Sequence, residues 1–312
     1  MKRVDWRRWS AISTFVLALA ALVIVAHVLR QFTGAQIATS LTKLGPGQIA
    51  GAGLCTAASY ATLTGFDWLG VAYAGAKVPY RRVALASFLS LSIGHTVGFA
   101  PLSSGAIRYR YYAESGLRAP QIGLIVLLSA ATVTLGEATL AGLALLTQPT
   151  LTAKILRLGP SAATAIGAAC LTLPACYWIL SAMLRRPIEI SRRWSFRLPG
   201  PRIASMQIGL GLLNYILVSG ALYFVLSAAA PIAYQSVVTA YVLGNLAALV
   251  THVPGGLGVL EAVIITLLPG IDLIGPLIAF RIVYFLIPLG IGCLLFAGAE
   301  MRQRLRPAKA KL

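Results

Sequence analysis

Five side chains that could carry charge lie within the apolar segments of this 312-residue chain, or in the Pro/Gly-containing runs that follow two of them: Asp67, Arg108, Glu137, Glu261 and Arg281. An ionised group at the centre of a bilayer costs about 2.5–3.5 kcal/mol on insertion scales, so such residues pair with each other or face a polar cavity. Their chemistry would be binding. A guanidinium donates hydrogen bonds to a phosphate, and a carboxylate accepts them from a cationic group or takes up a proton.

The composition indicates that these charges sit in a membrane. Hydrophobic residues make up 58% of the chain, charged residues only 11%, and the mean hydropathy is +0.82. Soluble domains carry about 25% charged residues, and recurring apolar stretches of about 20 residues are typical of a polytopic α-helical membrane protein. The net charge of +18 comes from short basic clusters between those stretches. This distribution favours a role in membrane orientation over nucleic-acid binding.

Catalysis and metal binding receive no support from the motifs. The sequence has no Ser/His/Asp or Cys/His set at plausible spacing, no G-x-S-x-G and no phosphate-binding P-loop. His27, His95 and His252 are far apart, and no HExxH pair occurs. We therefore expect neither an enzyme, nor a cofactor, nor a metal site.

One of the charges follows a helix-breaking run in the middle of an apolar stretch. Residues 251–263 read THVPGGLGVLEAV, in which Pro254, Gly255, Gly256 and Gly258 precede Glu261. Proline and glycine disfavour a continuous helix, and irregular backbone is tolerated at membrane depth only against protein or water. Glycines would also let a ligand approach the main chain closely. The run predicts a broken helix that lines a polar site.

A related run occurs 153 residues earlier, where Pro101 and Gly105 precede Arg108. Both runs fit P-x-x-x-G-x-[IL]-charge. The same offset relates the apolar segments of the two halves, which are 11–29, 46–75, 82–100 and 119–147, then 160–184, 202–229, 235–253 and 273–299. We interpret the chain as one membrane domain (1–312) with two internal repeats, about 11–147 and 160–300.

The basic residues indicate how the repeats lie in the membrane. If all eight segments cross it from a cytoplasmic N-terminus, 14 Lys and Arg side chains lie inside and 11 outside. If the third and seventh segments are instead re-entrant hairpins, 21 lie inside and only Arg30, Lys43, Lys154 and Arg157 lie outside. The positive-inside rule favours the hairpins.

The expected fold is therefore an all-α polytopic membrane protein with two inverted four-segment repeats, each with a re-entrant broken-helix hairpin. Both termini are expected in the cytoplasm. The first segment resembles a signal peptide, but we interpret it as a retained span because the second repeat has its counterpart.

Helix rise places the charges at matching depths. Glu261 and Arg281 both fall in the outer half of the bilayer, and Arg108 and Asp67 both fall in the inner half. Each pair is either a buried ion pair that fixes packing or a headgroup site. Glu137 has no evident partner. The aromatic run around Tyr109, Tyr111 and Tyr112 is typical of a membrane interface, or of a site beside Arg108.

The runs VPGGLGVLE (253–261) and RIVYFLIPLG (281–290), with the region from Gly105 to Arg108, resemble the transmembrane domain of bifunctional lysylphosphatidylglycerol synthase/flippase proteins. That domain is associated with moving aminoacylated phospholipid between leaflets, while a C-terminal cytoplasmic domain makes the lipid. No such domain follows here, so the resemblance implies a stand-alone form without aminoacyltransferase activity. The matching positions are Pro254, Gly255, Gly256, Gly258, Glu261, Arg281, Tyr284 and Pro288.

The resemblance and the charges together predict a lipid translocase of the bacterial inner membrane. Its substrate would be a membrane phospholipid, bound by Arg108, Glu261, Arg281, Asp67, Glu137, Gly255, Gly256, Gly258 and Tyr284, with hairpin breaks at Pro101, Gly105, Pro254 and Pro288. The alternatives are a secondary transporter of a small solute and a non-transporting partner of a lipid-modifying enzyme. A homo-oligomer is compatible with each of the three.

Overall fold

A computed structural model of the protein describes residues 44–97, 100–149, 159–184, 188–191, 194–251 and 258–305, with six further single positions: Val16, Leu19, Val23, Thr42, Val253 and Gly256. The first predicted segment, 11–29, therefore lies almost entirely outside the described residues. So do Pro254 and Gly255.

The described chain is helical except for one small hairpin between two helices. In chain order its elements are α1 (Pro46–Tyr73), α2 (Tyr80–Val97), α3 (Ala100–Glu114), α4 (Ala119–Thr147), α5 (Pro160–Met183), β1 (Ile188–Ser191), β2 (Trp194–Phe196), α6 (Pro201–Leu226), α7 (Tyr234–Thr251), α8 (Val259–Leu267), α9 (Ile274–Arg281), a π-helical turn (Ile282–Leu286) and α10 (Ile287–Leu305). The helical class is confirmed, and the helices follow the predicted segments closely. The antiparallel β1–β2 pair was not predicted.

Gly-Pro pairs set where three of the long helices begin. Gly45, Gly159 and Gly200 each have extended backbone and precede the proline that begins α1, α5 and α6. Proline suits the first turn of a helix because the backbone N–H that it lacks would have no intrahelical acceptor there. Its φ is also already helical. Another long helix, α4, begins after Arg118, whose backbone N–H donates to the Gln121 side chain at 3.0 Å.

Among the described helices, four are long and apolar enough to cross a bilayer: α4, α5, α6 and the continuous helix Ile274–Arg302, which contains α9 and the π-helical turn. Helix α1 has 28 residues and is also longer than a bilayer is thick. By contrast, α3 has 15 residues and α8 only nine. At 1.5 Å per residue they reach about 22 Å and 14 Å, short of the roughly 30 Å hydrocarbon core.

The two short helices each pack against the helix before them. Helices α2 and α3 pack together, as do α7 and α8. A Cβ on Gly94 would lie 3.0 Å from the Ser104 nitrogen, and one on Gly244 would lie 2.6 Å from Leu260 Cδ1. Glycine in α2 and in α7 therefore lets the paired helices approach closely.

Three residues that the sequence marked as breaks lie within helices. Pro101 is the second residue of α3, Gly105 lies inside α3, and Pro288 lies inside the continuous helix that ends the described chain. The reason is that proline is accommodated in a first turn and, at Pro288, next to a π-helical turn. A Cβ on Gly105 would meet only Val126, at 4.0 Å, so no close approach requires glycine there.

The closest helix crossing joins α4 to α6 through two glycines. A Cβ on Gly136 would lie 2.2 Å from the Gly211 carbonyl carbon, and one on Gly211 would lie 2.4 Å from the Thr132 oxygen. The two backbones are therefore in direct contact. In a membrane such small-residue contacts drive helix association, since lipid supplies no hydrophobic force between helices.

Gly136→Ala should destabilise the protein by about 1–3 kcal/mol, because the added methyl group must separate α4 from α6. Gly123→Ala is the matched control, since Gly123 lies on the same helix and a Cβ there would meet nothing within 4 Å. Thermal melting in detergent measures the difference. Equal melting temperatures for the two variants would contradict the close crossing.

Hydrophobic side chains from seven helices form the main core. Buried residues of α1, α2, α4, α6, α7, α8 and α9 pack around Tyr60, Tyr215, Tyr241 and Tyr284. Large apolar side chains also face outward, among them Leu54, Val250 and Leu294. Such an outer surface suits lipid as the surrounding solvent. The tyrosine-rich core is where the polar contacts described next are found.

Candidate functional site

The loop between α7 and α8 has a backbone that glycine favours. Gly256 has φ +59° and Gly258 has φ +78°, in the left-handed region where side chains with a Cβ are strained. The Gly256 N–H donates to the Val253 carbonyl at 2.9 Å. A Cβ on Gly256 would also lie 2.9 Å from Ala248 Cβ, whereas a Cβ on Gly258 would point into open space. The loop therefore turns sharply and leaves room beside Gly258.

Arg281 and Glu261 hold this loop between them. Arg281 Nε donates to Glu261 Oε1 at 2.6 Å, and Nη2 donates to Oε2 at 3.0 Å and to the Gly256 carbonyl at 2.9 Å. The Gly258 N–H donates to Glu261 Oε2 at 2.9 Å, and the guanidinium carbon lies 5.0 Å from the Phe285 ring centroid. The expected contact between the two charges is thus present, and the broken backbone takes part in it.

The second expected pair, Asp67 on α1 and Arg108 on α3, is also present. Arg108 Nε donates to Asp67 Oδ2 at 2.9 Å, and Nη2 donates to Oδ1 at 2.8 Å. Arg108 Nη1 donates to Ser104 at 3.0 Å, while Tyr112 and Ser129 donate to the carboxylate at 2.8 and 2.9 Å. Each of the two carboxylate oxygens of Asp67 therefore accepts at least two hydrogen bonds.

The two pairs differ in how far they are enclosed. The side chains of Asp67 and Arg108 are 0% and 4% exposed, whereas those of Glu261 and Arg281 are 24% and 11% exposed. A ligand could reach the Glu261–Arg281 pair in this conformation. The Asp67–Arg108 pair is closed and fully hydrogen-bonded, so it could meet a ligand only after α3 moves from α1 and α4.

Tyr112 lies in the site beside Arg108, which is one of the two roles that the sequence leaves open for it. It is 1% exposed, and its hydroxyl donates to Asp67. It follows Arg108 by four residues, so the two side chains lie on the same side of α3. That spacing was the available signal.

Glu137 lies where α4, α6 and α7 meet, and its partners are neutral. Asn245 Nδ2 on α7 donates to Oε1 at 2.6 Å, and the Tyr215 hydroxyl on α6 donates to Oε2 at 3.3 Å. Glu137 is 6% exposed, and no ion pair joins it to any cation that the structure describes. Because neither partner carries a charge, no opposite charge in the sequence marks them.

Tyr284 joins α1, α6 and the last helix in a second polar group. Ser59 donates to Asn214 Oδ1 at 2.7 Å and lies 2.9 Å from the Tyr284 hydroxyl, which must therefore be the donor to Ser59. Pro288 cannot donate to the Tyr284 carbonyl four residues before it. That carbonyl accepts the Tyr60 hydroxyl at 3.4 Å instead.

Comparison with known families identifies the family of this chain. Residues 11–294 match the model of the lysylphosphatidylglycerol synthase TM region. The chain belongs to this family. The matched residues include both ion pairs and Glu137, so the candidate site lies within the part of the chain that matches the lysylphosphatidylglycerol synthase TM region.

Two relatives are similar along almost their whole length. "Uncharacterized protein slr0712" of Synechocystis sp. is 29% identical over 301 residues, which cover 95% of this chain and 92% of the relative. The inner membrane protein YbhN of Escherichia coli is 25% identical over 316 residues, covering 97% and 96%. This chain is thus a YbhN-like membrane protein, similar in extent to relatives that carry no separate C-terminal domain.

Proposed function

We propose that this protein moves a phospholipid, or a related amphiphile with a polar headgroup, between the leaflets of the bacterial inner membrane. The observation that carries the proposal is the partly exposed Glu261–Arg281 pair at a helix break in an otherwise apolar protein. A headgroup would bind there while its acyl chains stay in the surrounding lipid. The membrane location of YbhN is in keeping with the proposal.

The chemistry of the pair suits a phospholipid headgroup. Arg281 can donate to a phosphate, and Glu261 can accept from an ammonium group, so together they match a zwitterion. The room beside Gly258 brings a ligand close to the backbone and to Glu261. Tyr284, three residues beyond Arg281, has its hydroxyl engaged with Ser59, and we assign it to shaping the wall of the site.

We assign the Asp67–Arg108 pair to the opposite side of the pathway, where it would be closed in this conformation. A headgroup that leaves Glu261 and Arg281 would meet Arg108 once α3 separates from α1. Inverted repeats with broken helices at mid-membrane are the arrangement by which many transporters open their two sides alternately.

We further propose that α2–α3 and α7–α8 are re-entrant hairpins and that the two repeats are inverted. The lengths of α3 and α8 support this, because neither can cross the hydrocarbon core. The positions of Lys and Arg support it as well, because this arrangement with cytoplasmic termini places 21 of the 26 on the inner side.

The topology makes a direct prediction for cysteine labelling. In a background with the four native cysteines replaced by serine, Ala113→Cys and Arg202→Cys should both resist an impermeant thiol reagent added to intact spheroplasts. Both should react after permeabilisation. Labelling of the Ala113→Cys variant from outside would contradict a re-entrant first hairpin.

Reconstitution into vesicles tests the proposed function. Purified protein is incorporated into liposomes that contain a trace of fluorescent phosphatidylglycerol or phosphatidylethanolamine, and an impermeant quencher reports how much probe reaches the outer leaflet. Protein-containing vesicles should lose fluorescence from the inner leaflet far faster than protein-free vesicles. Both probes are needed because they differ in the cation that Glu261 would contact.

The alternatives predict different outcomes in the same vesicles. A solute transporter would leave both lipid probes at the rate of protein-free vesicles while taking up a solute. A non-transporting partner would do neither and would instead co-purify with a lipid-modifying enzyme. Either result would overturn the translocase proposal.

A further inference from the structure

We infer that Glu137 is a proton-binding site that couples a proton gradient to movement of the headgroup, an inference that rests on the proposed function. In this assignment Glu137 serves the driving ion and not the lipid, in contrast to the role expected from the sequence. The carboxylate binds one proton to become a carboxylic acid, then releases it as a carboxylate on the other side. No further reactant is needed.

The surroundings of Glu137 are those of a group that changes charge. A buried carboxylate normally has a cationic partner, as Asp67 and Glu261 have, but the described contacts of Glu137 are a side-chain amide and a phenol. A carboxylic acid can keep both contacts, because Oε1 still accepts from Asn245 and the acid O–H on Oε2 can donate to the Tyr215 hydroxyl oxygen. The site therefore holds either state with both contacts in place.

The network reaches the protein surface at Asn245. Glu137 is enclosed, whereas Asn245 is only partly buried and begins a partly exposed run that continues to Ala248. The titratable groups that face Glu137 are Tyr215 on α6, Tyr241 on α7 and Cys170 on α5. All three are neutral in their ordinary forms at pH 7. Proton binding at this point therefore changes the charge of the site.

A short chain of contacts leads from Glu137 to the headgroup site. Asn245, which holds Glu137, is the neighbour of Gly244, and Gly244 packs directly on Leu260 of α8. Leu260 precedes Glu261. When the carboxylate becomes an acid, its charge-assisted hydrogen bond to Asn245 weakens, and α7 is freed to shift against α4 together with the loop that Arg281 holds. The gain or loss of one proton is thus transmitted to the loop.

Lipid movement under a pH gradient is the first test. Vesicles with fluorescent phosphatidylglycerol are compared with and without a gradient of about one pH unit, in sodium-free buffer, for wild type, Glu137→Gln and Glu114→Gln. One unit is a tenfold difference in proton concentration, so wild type should distribute the probe about tenfold unequally between leaflets. Glu137→Gln should move the probe in both directions at the gradient-free rate without accumulating it. Glu114, a half-exposed carboxylate on α3, is the control that should retain accumulation.

Infrared spectroscopy of the purified protein is the second test and needs no transport. A pH change should give a carboxylic-acid C=O band that is absent in Glu137→Gln and present in Glu114→Gln. Short-chain phosphatidylglycerol should shift the pH at which the band appears, because coupling between two sites is reciprocal. Lipid movement that ignores the gradient, or a missing or lipid-insensitive band, overturns the inference. Absent lipid movement with an intact, lipid-sensitive band overturns translocation while the proton site stands.

Discussion

Arg108→Gln should lower the free energy of unfolding by about 3–5 kcal/mol, the cost of leaving a buried charge without its partner. Asp67 is fully enclosed, so water cannot replace the two guanidinium contacts that the substitution removes. Tyr112 and Ser129 would still donate to the carboxylate, but neither carries a positive charge. Chemical denaturation in detergent, followed by circular dichroism, measures the loss.

A double-mutant cycle with Asp67→Asn separates the pair from the packing around it. Asp67→Asn alone should also destabilise, because it leaves Arg108 buried and charged. The double variant should be more stable than the sum of the single losses predicts, since it leaves no unpaired charge. Strictly additive losses would show that the two side chains do not act together.

Glu261→Gln should slow lipid movement by about tenfold or more and leave the protein folded. The amide keeps the shape of the carboxylate and can still accept from Gly258, but it no longer carries a charge for the headgroup cation. A charged hydrogen bond contributes about 1.5–3 kcal/mol, and a tenfold change in rate needs about 1.4 kcal/mol. The stability loss should be smaller than for Arg108→Gln because this pair is partly exposed.

The probe lipids give the Glu261→Gln measurement its specificity. Phosphatidylethanolamine, which carries an ammonium group, should be slowed more than phosphatidylglycerol, which does not. Glu114→Gln removes a carboxylate that lies outside the site, so this variant should move both probes at the wild-type rate. Equal slowing of both probes by Glu261→Gln would argue against contact with the headgroup cation.

Most of the helix positions could be predicted from the sequence because apolar length and Pro/Gly punctuation are local signals. The segment 119–147 coincides with α4, and the beginnings of α1 and α5 coincide with Pro46 and Pro160. The breaks were harder to locate. Pro101 and Pro288 lie where a helix accommodates proline, and only the glycines with positive φ mark a turn that no other residue suits.

The charged pairs could be predicted, whereas their neutral partners could not. Depth along a helix brings Glu261 to Arg281 and Asp67 to Arg108 without any knowledge of helix packing. Asn245, Tyr215, Ser129 and Ser104 have ordinary polar side chains, and only the packing of four helices determines which of them meet a carboxylate. For the same reason, the hydrogen bond from Asn245 on α7 to Glu137 could not be predicted from the sequence.

The neutral double variant Glu261→Gln/Arg281→Gln provides the most direct test of the site. Removing both charges leaves no unpaired ion, so a pair that only fixes packing should be replaced at little cost to stability or transport. We predict that the double variant melts close to wild type yet moves fluorescent phosphatidylethanolamine at about one tenth of the wild-type rate or less. Movement at the wild-type rate by a folded double variant would contradict the assignment of this pair as the headgroup site.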